Sequence, residues 1–74
     1  MGEKLKALRK AAQLTQVEAS KRIGVSQATV AMWEAGRIVP RTTRLAQIVA
    51  VYGCTITDLL SDTGTFPITK ERSV

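Results

Sequence analysis

The sequence predicts an all-α domain of five helices. Three observations carry that prediction: apolar residues recur at helical spacing near both ends of the segment 2–60, two Thr-x-x-acid boxes open helices, and glycines follow apolar stretches where helices should stop. Leu5, Leu8 and the pair Ala11 and Ala12 recur at helical spacing while Lys4, Lys6, Arg9 and Lys10 fall mostly elsewhere, giving an amphipathic first helix over roughly residues 2–12. Gln13 and Leu14 form the turn. Thr15 with Glu18 is a capping box, so a second helix starts at Gln16, and Gly24 ends it early by supplying a positive φ without a Cβ clash. Ser26 is an N-cap for a third helix, about Gln27 to Ala35, closed by Gly36. Pro40 in "GRIVPR" marks a loop, and Leu45, Ile48, Val49 and Tyr52 then repeat at i, i+3, i+4 and i+7 to define a fourth helix ending at Gly53. Thr55 with Asp58 opens a short fifth helix carrying Leu59 and Leu60. From Ser61 the sequence "SDTGTFPITKERSV" has no helical period and holds Gly64 and Pro67, so residues 61–74 are expected to be a flexible tail on a single domain of residues 1–60.

Composition narrows the function. A 74-residue chain is one domain, and at that size about 60% of the unfolded surface is buried on folding. With no histidine and one cysteine it can form neither an intrachain disulfide nor a zinc cluster, which points to a reducing cytosol. "MGEKLKALRK" has no signal-peptide core, and "LAQIVAVYGC", interrupted by Gln47, is far too short to span a bilayer, so neither secretion nor a membrane role is expected. No cofactor and no metal is expected. Nor is an enzyme, since paired carboxylates, a histidine base and a phosphate-cradling glycine loop are all missing from the sequence. Eleven Lys plus Arg against six Asp plus Glu give a formal charge of +5 and a pI near 10.0, which attracts polyanions, although a solvated basic surface explains the same number.

"TQVEASKRIGVSQATVAMWEAG", with "LRKAAQLTQ" before it and "LAQIVAVYGCTITDLL" after it, resembles the lambda-repressor-like family of helix-turn-helix proteins, the Cro/repressor or XRE type. The resemblance covers about Leu5 to Leu60 and implies that helices 2 and 3 form the helix-turn-helix. Small residues at the crossing, Ala19 and Ser20, and the Gly24 turn fit that geometry; Val17, Ile23, Val25, Val30 and Trp33 are then expected to face inward. The resemblance further implies that Gln27, Ala28 and Met32 read bases, Gln27 as a bidentate partner of adenine and the other two by apolar contact. It places Gln16 at a phosphate, Ser26 and Thr29 beside the groove as backbone contacts, and Arg37, Arg41 and Arg44 on the sugar-phosphate backbone. Arg9 is implied to pair with Glu34, fixing the first helix against the third.

Bland readings hold elsewhere. Trp33 is a core anchor rather than a stacking platform, Cys54 a small buried hydrophobe rather than a redox sensor, and Lys4, Lys6 and Lys10 a solvated face. Against the family pattern, Ser20 replaces alanine, Ala19 replaces leucine, and Arg41 replaces a serine-like cap. The expectation is a sequence-specific transcriptional regulator, a repressor that binds a palindromic operator in double-stranded DNA as a homodimer touching around Leu59 and Leu60. It would work in the cytoplasm, at the nucleoid of a bacterium or from a phage genome. The competing expectation is a protein-interaction module or antitoxin-like regulator, with Thr65–Ile68 in the tail as a docking arm.

Overall fold

The computed structural model describes residues 1–60. They form five α-helices and, among the described residues, no strand: α1 (Gly2–Ala11), α2 (Gln16–Ile23), α3 (Gln27–Glu34), α4 (Thr42–Tyr52) and α5 (Ile56–Leu60). The five-helix all-α architecture read from the sequence is therefore the architecture observed, with the ends of α1 and α3 one residue earlier than expected. The expected tail, and the docking arm within it, lie outside the described residues.

Local chemistry explains the boundaries. The Glu18 amide donates to Thr15 Oγ1 at 3.0 Å and the Thr15 amide to Glu18 Oε1 at 2.9 Å, a complete capping box at the start of α2. Thr55 and Asp58 repeat it before α5, at 3.1 and 2.9 Å. Gly24 leaves α2 at φ +91°, a left-handed conformation that a Cβ would penalise. Arg41 occupies the N-cap of α4 without a side-chain capping bond, as its side chain carries no acceptor. The exit of α1 carries no glycine: Gln13 adopts φ +61°, while the Leu14 amide closes on the Arg9 carbonyl at 3.2 Å.

The core gathers Leu5, Leu14, Ala19, Ile23, Val30, Trp33, Ile48, Tyr52 and Leu59. α3 packs between α1 and α2, α4 lies against both of those, and α5 rests on α4. Trp33 is buried in this core, and Cys54 is half-buried beside it. Burial pushes the Cys54 thiol above its ordinary value, leaving little of the reactive thiolate.

Three expectations need correction. Val17 does not face inward but is 41% exposed: the buried residues of α2 are Ala19, Ser20 and Ile23, and helical periodicity extends that face to Gln16 rather than Val17. Ala11 is exposed, and the inward side of α1 is Leu5, Leu8, Arg9 and Ala12 at i, i+3, i+4 and i+7, so Arg9 sits on the apolar side rather than off it. Val25, by contrast, packs against the core as expected, half-buried. Leu59 is 1% exposed and belongs to the core, which leaves it no surface for a second copy.

Gly2 is a feature the sequence reading passed over. A Cβ there would lie 2.5 Å from the Glu34 carbonyl oxygen and 2.9 Å from that of Trp33, so the first turn of α1 touches the last turn of α3 backbone to backbone. Gly2→Ala should displace one helix end and lower stability by about 1–3 kcal/mol, the usual range for overpacking. Urea unfolding followed by Trp33 fluorescence measures it, and an unchanged midpoint would show that the contact is dispensable.

Candidate nucleic-acid interface

α2 and α3 form a compact corner. Ala19 is fully buried and Ser20 nearly so at their crossing, and Ser20 satisfies its buried hydroxyl by donating to the Val17 carbonyl of its own helix at 2.7 Å. The amides of Gly24 and Val25 both close on the Ser20 carbonyl, at 2.8 and 3.0 Å, which fixes the turn. Ser26 then caps α3, accepting from the Thr29 amide at 3.1 Å.

Eight residues in α3 leave it two distinct sides. Val30 and Trp33 are buried; Gln27, Ala28 and Met32 are exposed; Thr29 and Ala31 are half-buried. The exposed residues are concentrated toward the helix N-terminus, where Gln27 presents its amide. The hydroxyls of Ser26 and Thr29 lie 2.9 Å apart, so one of their two protons is shared between them and the other stays free to donate outward.

What orients this helix is a buried ion pair. Arg9 donates from Nε to Glu34 Oε2 at 2.6 Å and from Nη2 to Oε1 at 3.1 Å, with side chains 7% and 5% exposed. The remaining arm of the guanidinium, Nη1, donates to the Leu14 carbonyl at 2.7 Å. Gln16 adds a bond from Nε2 to Glu34 Oε1 at 3.1 Å. Burial by itself would raise the Glu34 carboxyl, but the bonds from Arg9 and Gln16 and the charges of Arg9 and Lys6 outweigh it and hold the carboxyl below the usual range. The Glu34 bond raises the Arg9 guanidinium further, and Arg9 is charged at every accessible pH. The bonds of Leu14 and Gln16 to this pair left no mark in the sequence reading. The position of Arg9, four residues after Leu5 on the apolar side, was the available signal.

The expected backbone contacts divide into two groups. Arg37 and Arg41 are exposed, and their guanidinium groups form no hydrogen bond or ion pair among the described residues. Arg44 is half-buried and already donates to Gln47 Oε1 at 2.8 Å. Gln16 is half-buried and engaged with Glu34, and Gln27 Nε2 lies 3.5 Å from Gln16 Oε1, too long for a strong bond. The backbone amides of Gln16 and Val17, in the first turn of α2, have no acceptor among the described residues. Residues 35–57 contain three arginines and no acid, so this segment carries only positive charge.

A helix-turn-helix whose second helix exposes Gln27 at its N-terminal end beside unpaired arginine side chains has the arrangement of a DNA-binding domain. A family model described as "Helix-turn-helix" matches residues 5–59. The chain belongs to that family, the lambda-repressor-like helix-turn-helix regulators of the Cro/repressor or XRE type. No curated protein and no solved structure gives a significant match. No helix among the described residues is long and apolar enough to cross a membrane.

The ion pair sets a pH dependence. Because the folded-state value of Glu34 lies below its unfolded value, its contribution is complete above the unfolded value and is lost as pH falls through the folded one. Glu34→Gln leaves Arg9 buried without a counter-charge and should lower stability near pH 7 by about 3 kcal/mol. The gap to wild type should close in acid, where wild-type Glu34 is itself neutral. Urea titrations from pH 7 down to about 2 test this, and a gap independent of pH would mean that the charge on Glu34 contributes nothing.

Proposed function

We propose that the chain is a transcriptional repressor that binds a palindromic operator as a homodimer, with α3 of each copy in the major groove. The observation that carries this reading is the two-sidedness of α3: Val30 and Trp33 hold one side in the core while Gln27, Ala28 and Met32 remain exposed beside cationic loops. A helix about 10–12 Å across fits a major groove about 12 Å wide.

In this reading Gln27 donates to and accepts from an adenine edge, and Ala28 and Met32 meet thymine methyl groups or the groove floor. The first-turn amides of α2 at Gln16 take a phosphate, where the helix dipole favours an anion, and Ser26 or Thr29 donates its free hydroxyl proton to a neighbouring one. Arg37, Arg41 and Arg44 neutralise backbone phosphates and set the register. Residues 1–60 are the DNA-binding unit. Ile56 and Leu60, 41% and 46% exposed and four residues apart on α5, supply the apolar surface for the second copy in place of Leu59. Two copies would place their recognition helices about 34–36 Å apart, one duplex turn. The sign of regulation follows the resemblance to repressors, and the setting is the cytoplasm of a bacterium, from a chromosomal or phage gene.

Reading and gripping separate experimentally. Gln27→Ala should weaken a preferred duplex by about 1–3 kcal/mol per half-site and leave a scrambled duplex nearly unaffected. Arg41→Ala should weaken both, and lower the magnitude of the log K against log salt slope by about 0.9 per chain, or about 1.8 in a dimer. Titrations of both duplexes at several salt concentrations measure the two effects. Equal losses from Gln27→Ala on both duplexes would remove α3 from the groove, and the absence of any discrete complex would favour a protein partner instead.

A further inference from the structure

Ile38 and Val39 are 47% and 68% exposed, and neither packs against the core. They are held out from both sides. Before them, Gly36 turns the chain at φ +78°, its amide donates to the Trp33 carbonyl at 3.2 Å, and the Arg37 amide donates to the Met32 carbonyl at 3.0 Å. After them, Pro40 is buried. Two β-branched side chains, stiff at χ1, therefore project from a two-residue tip whose near end is tied to the helix turn carrying Met32.

The charge around that tip selects its partner. Arg37 immediately precedes the pair, Arg41 follows it by two residues, the guanidinium groups of both are free of protein partners among the described residues, and no acid occurs anywhere in residues 35–57. A second copy docked here two-fold would bring Arg37 and Arg41 of both chains together, with no acid from residues 35–57 of either chain to neutralise them. A duplex minor groove offers the opposite pattern, apolar sugar walls between two rows of phosphates. Small aliphatic side chains enter such grooves beside arginines in proteins that read groove shape.

We propose that Ile38 and Val39 form an apolar wedge that enters the minor groove next to the major-groove segment under α3, with Arg37 and Arg41 on the phosphates at its rims. The proposal rests on the reading of α3 as the groove-entering helix and extends it. The wedge senses how readily the flanking step opens, so discrimination arises from deformability rather than from hydrogen bonds to bases. Such discrimination supplements Ala28 and Met32, whose side chains carry no strong hydrogen-bonding group.

The test uses the full chain and duplexes that share one preferred half-site pair but carry either a flexible TA step or a stiff A-tract at the flank. Wild type should prefer the TA flank. The double variant I38S/V39S should lose about tenfold in affinity for that duplex, as expected for exposing two partly buried aliphatic side chains, and lose the flank preference. Its log K against log salt line should shift down in parallel, because no phosphate contact is removed. I38L/V39L should retain most of the affinity, and DNA-free self-association by sedimentation equilibrium should be the same for all three proteins. Unchanged affinity and flank preference in I38S/V39S, with wild type still binding, overturns the wedge alone. A loss of self-association without DNA assigns the tip to a contact between copies and also overturns it. No complex of wild type with any duplex overturns both the wedge and the DNA-binding reading beneath it.

Discussion

One guanidinium and one carboxylate, taken out of water together, connect most of this domain. Arg9 projects from the apolar side of α1, grips Glu34 at the end of α3 with two bonds, and uses its third arm on the Leu14 carbonyl in the turn between α1 and α2. Gln16 brings the first turn of α2 to the same carboxylate. Burying such a pair is costly unless its hydrogen-bonding groups are satisfied. Here Leu14 and Gln16 supply further partners, so three helices and a turn share one polar junction. Removing either charge leaves the other desolvated without its counter-ion.

The dependence is sharpest for α3. Apolar packing on this helix is limited to Val30 and Trp33 as fully buried residues, three positions apart on eight. Two contacts on one side fix the distance of a helix from the core more firmly than its rotation. Glu34, one residue beyond Trp33, supplies the rotational constraint, and the close approach of Gly2 to the Glu34 and Trp33 carbonyls prevents the last turn from moving toward α1. With its C-terminal end fixed in this way, the other end presents Gln27 and Ala28 outward at a defined angle. The replacement of leucine by alanine at position 19 and of alanine by serine at position 20 is accommodated: Ala19 is fully buried at the crossing, and Ser20 turns its hydroxyl back on its own helix.

Wherever a feature depended on chemistry within a few residues, the sequence was a sufficient guide. Thr15 with Glu18, Thr55 with Asp58, and the glycines at 24, 36 and 53 marked their helix ends because capping and left-handed exits are local. Gln13 shows the limit of that logic: it adopts the same left-handed conformation without being glycine, held by the Leu14 amide on the Arg9 carbonyl and by Leu14 packing into the core. The sides on which Val17 and Arg9 lie were misread for a common reason, although the pairing of Arg9 with Glu34 was expected. In short helices one position rotates a residue by about 100°, so the buried side is known only once the partner helix is in place. Leu59 and Leu60 look alike in sequence, and only the packing of α5 on α4 buries one and exposes the other. The close approach at Gly2 and the projection of Ile38 and Val39 depend on contacts between segments far apart in sequence, which no local pattern encodes.

The central claim is that Arg9 and Glu34 act as one buried unit that orients α3, and a double-mutant cycle tests it most directly. Arg9→Met, Glu34→Leu and the double variant, each unfolded in urea with Trp33 fluorescence as the probe, give the coupling free energy without assigning a value to either residue alone. If the pair is the junction described, each single variant loses about 3–5 kcal/mol and the double variant loses no more than one of them, because the second change removes the charge left stranded by the first. Losses that add to within about 0.5 kcal/mol would show two independent side chains and contradict the account.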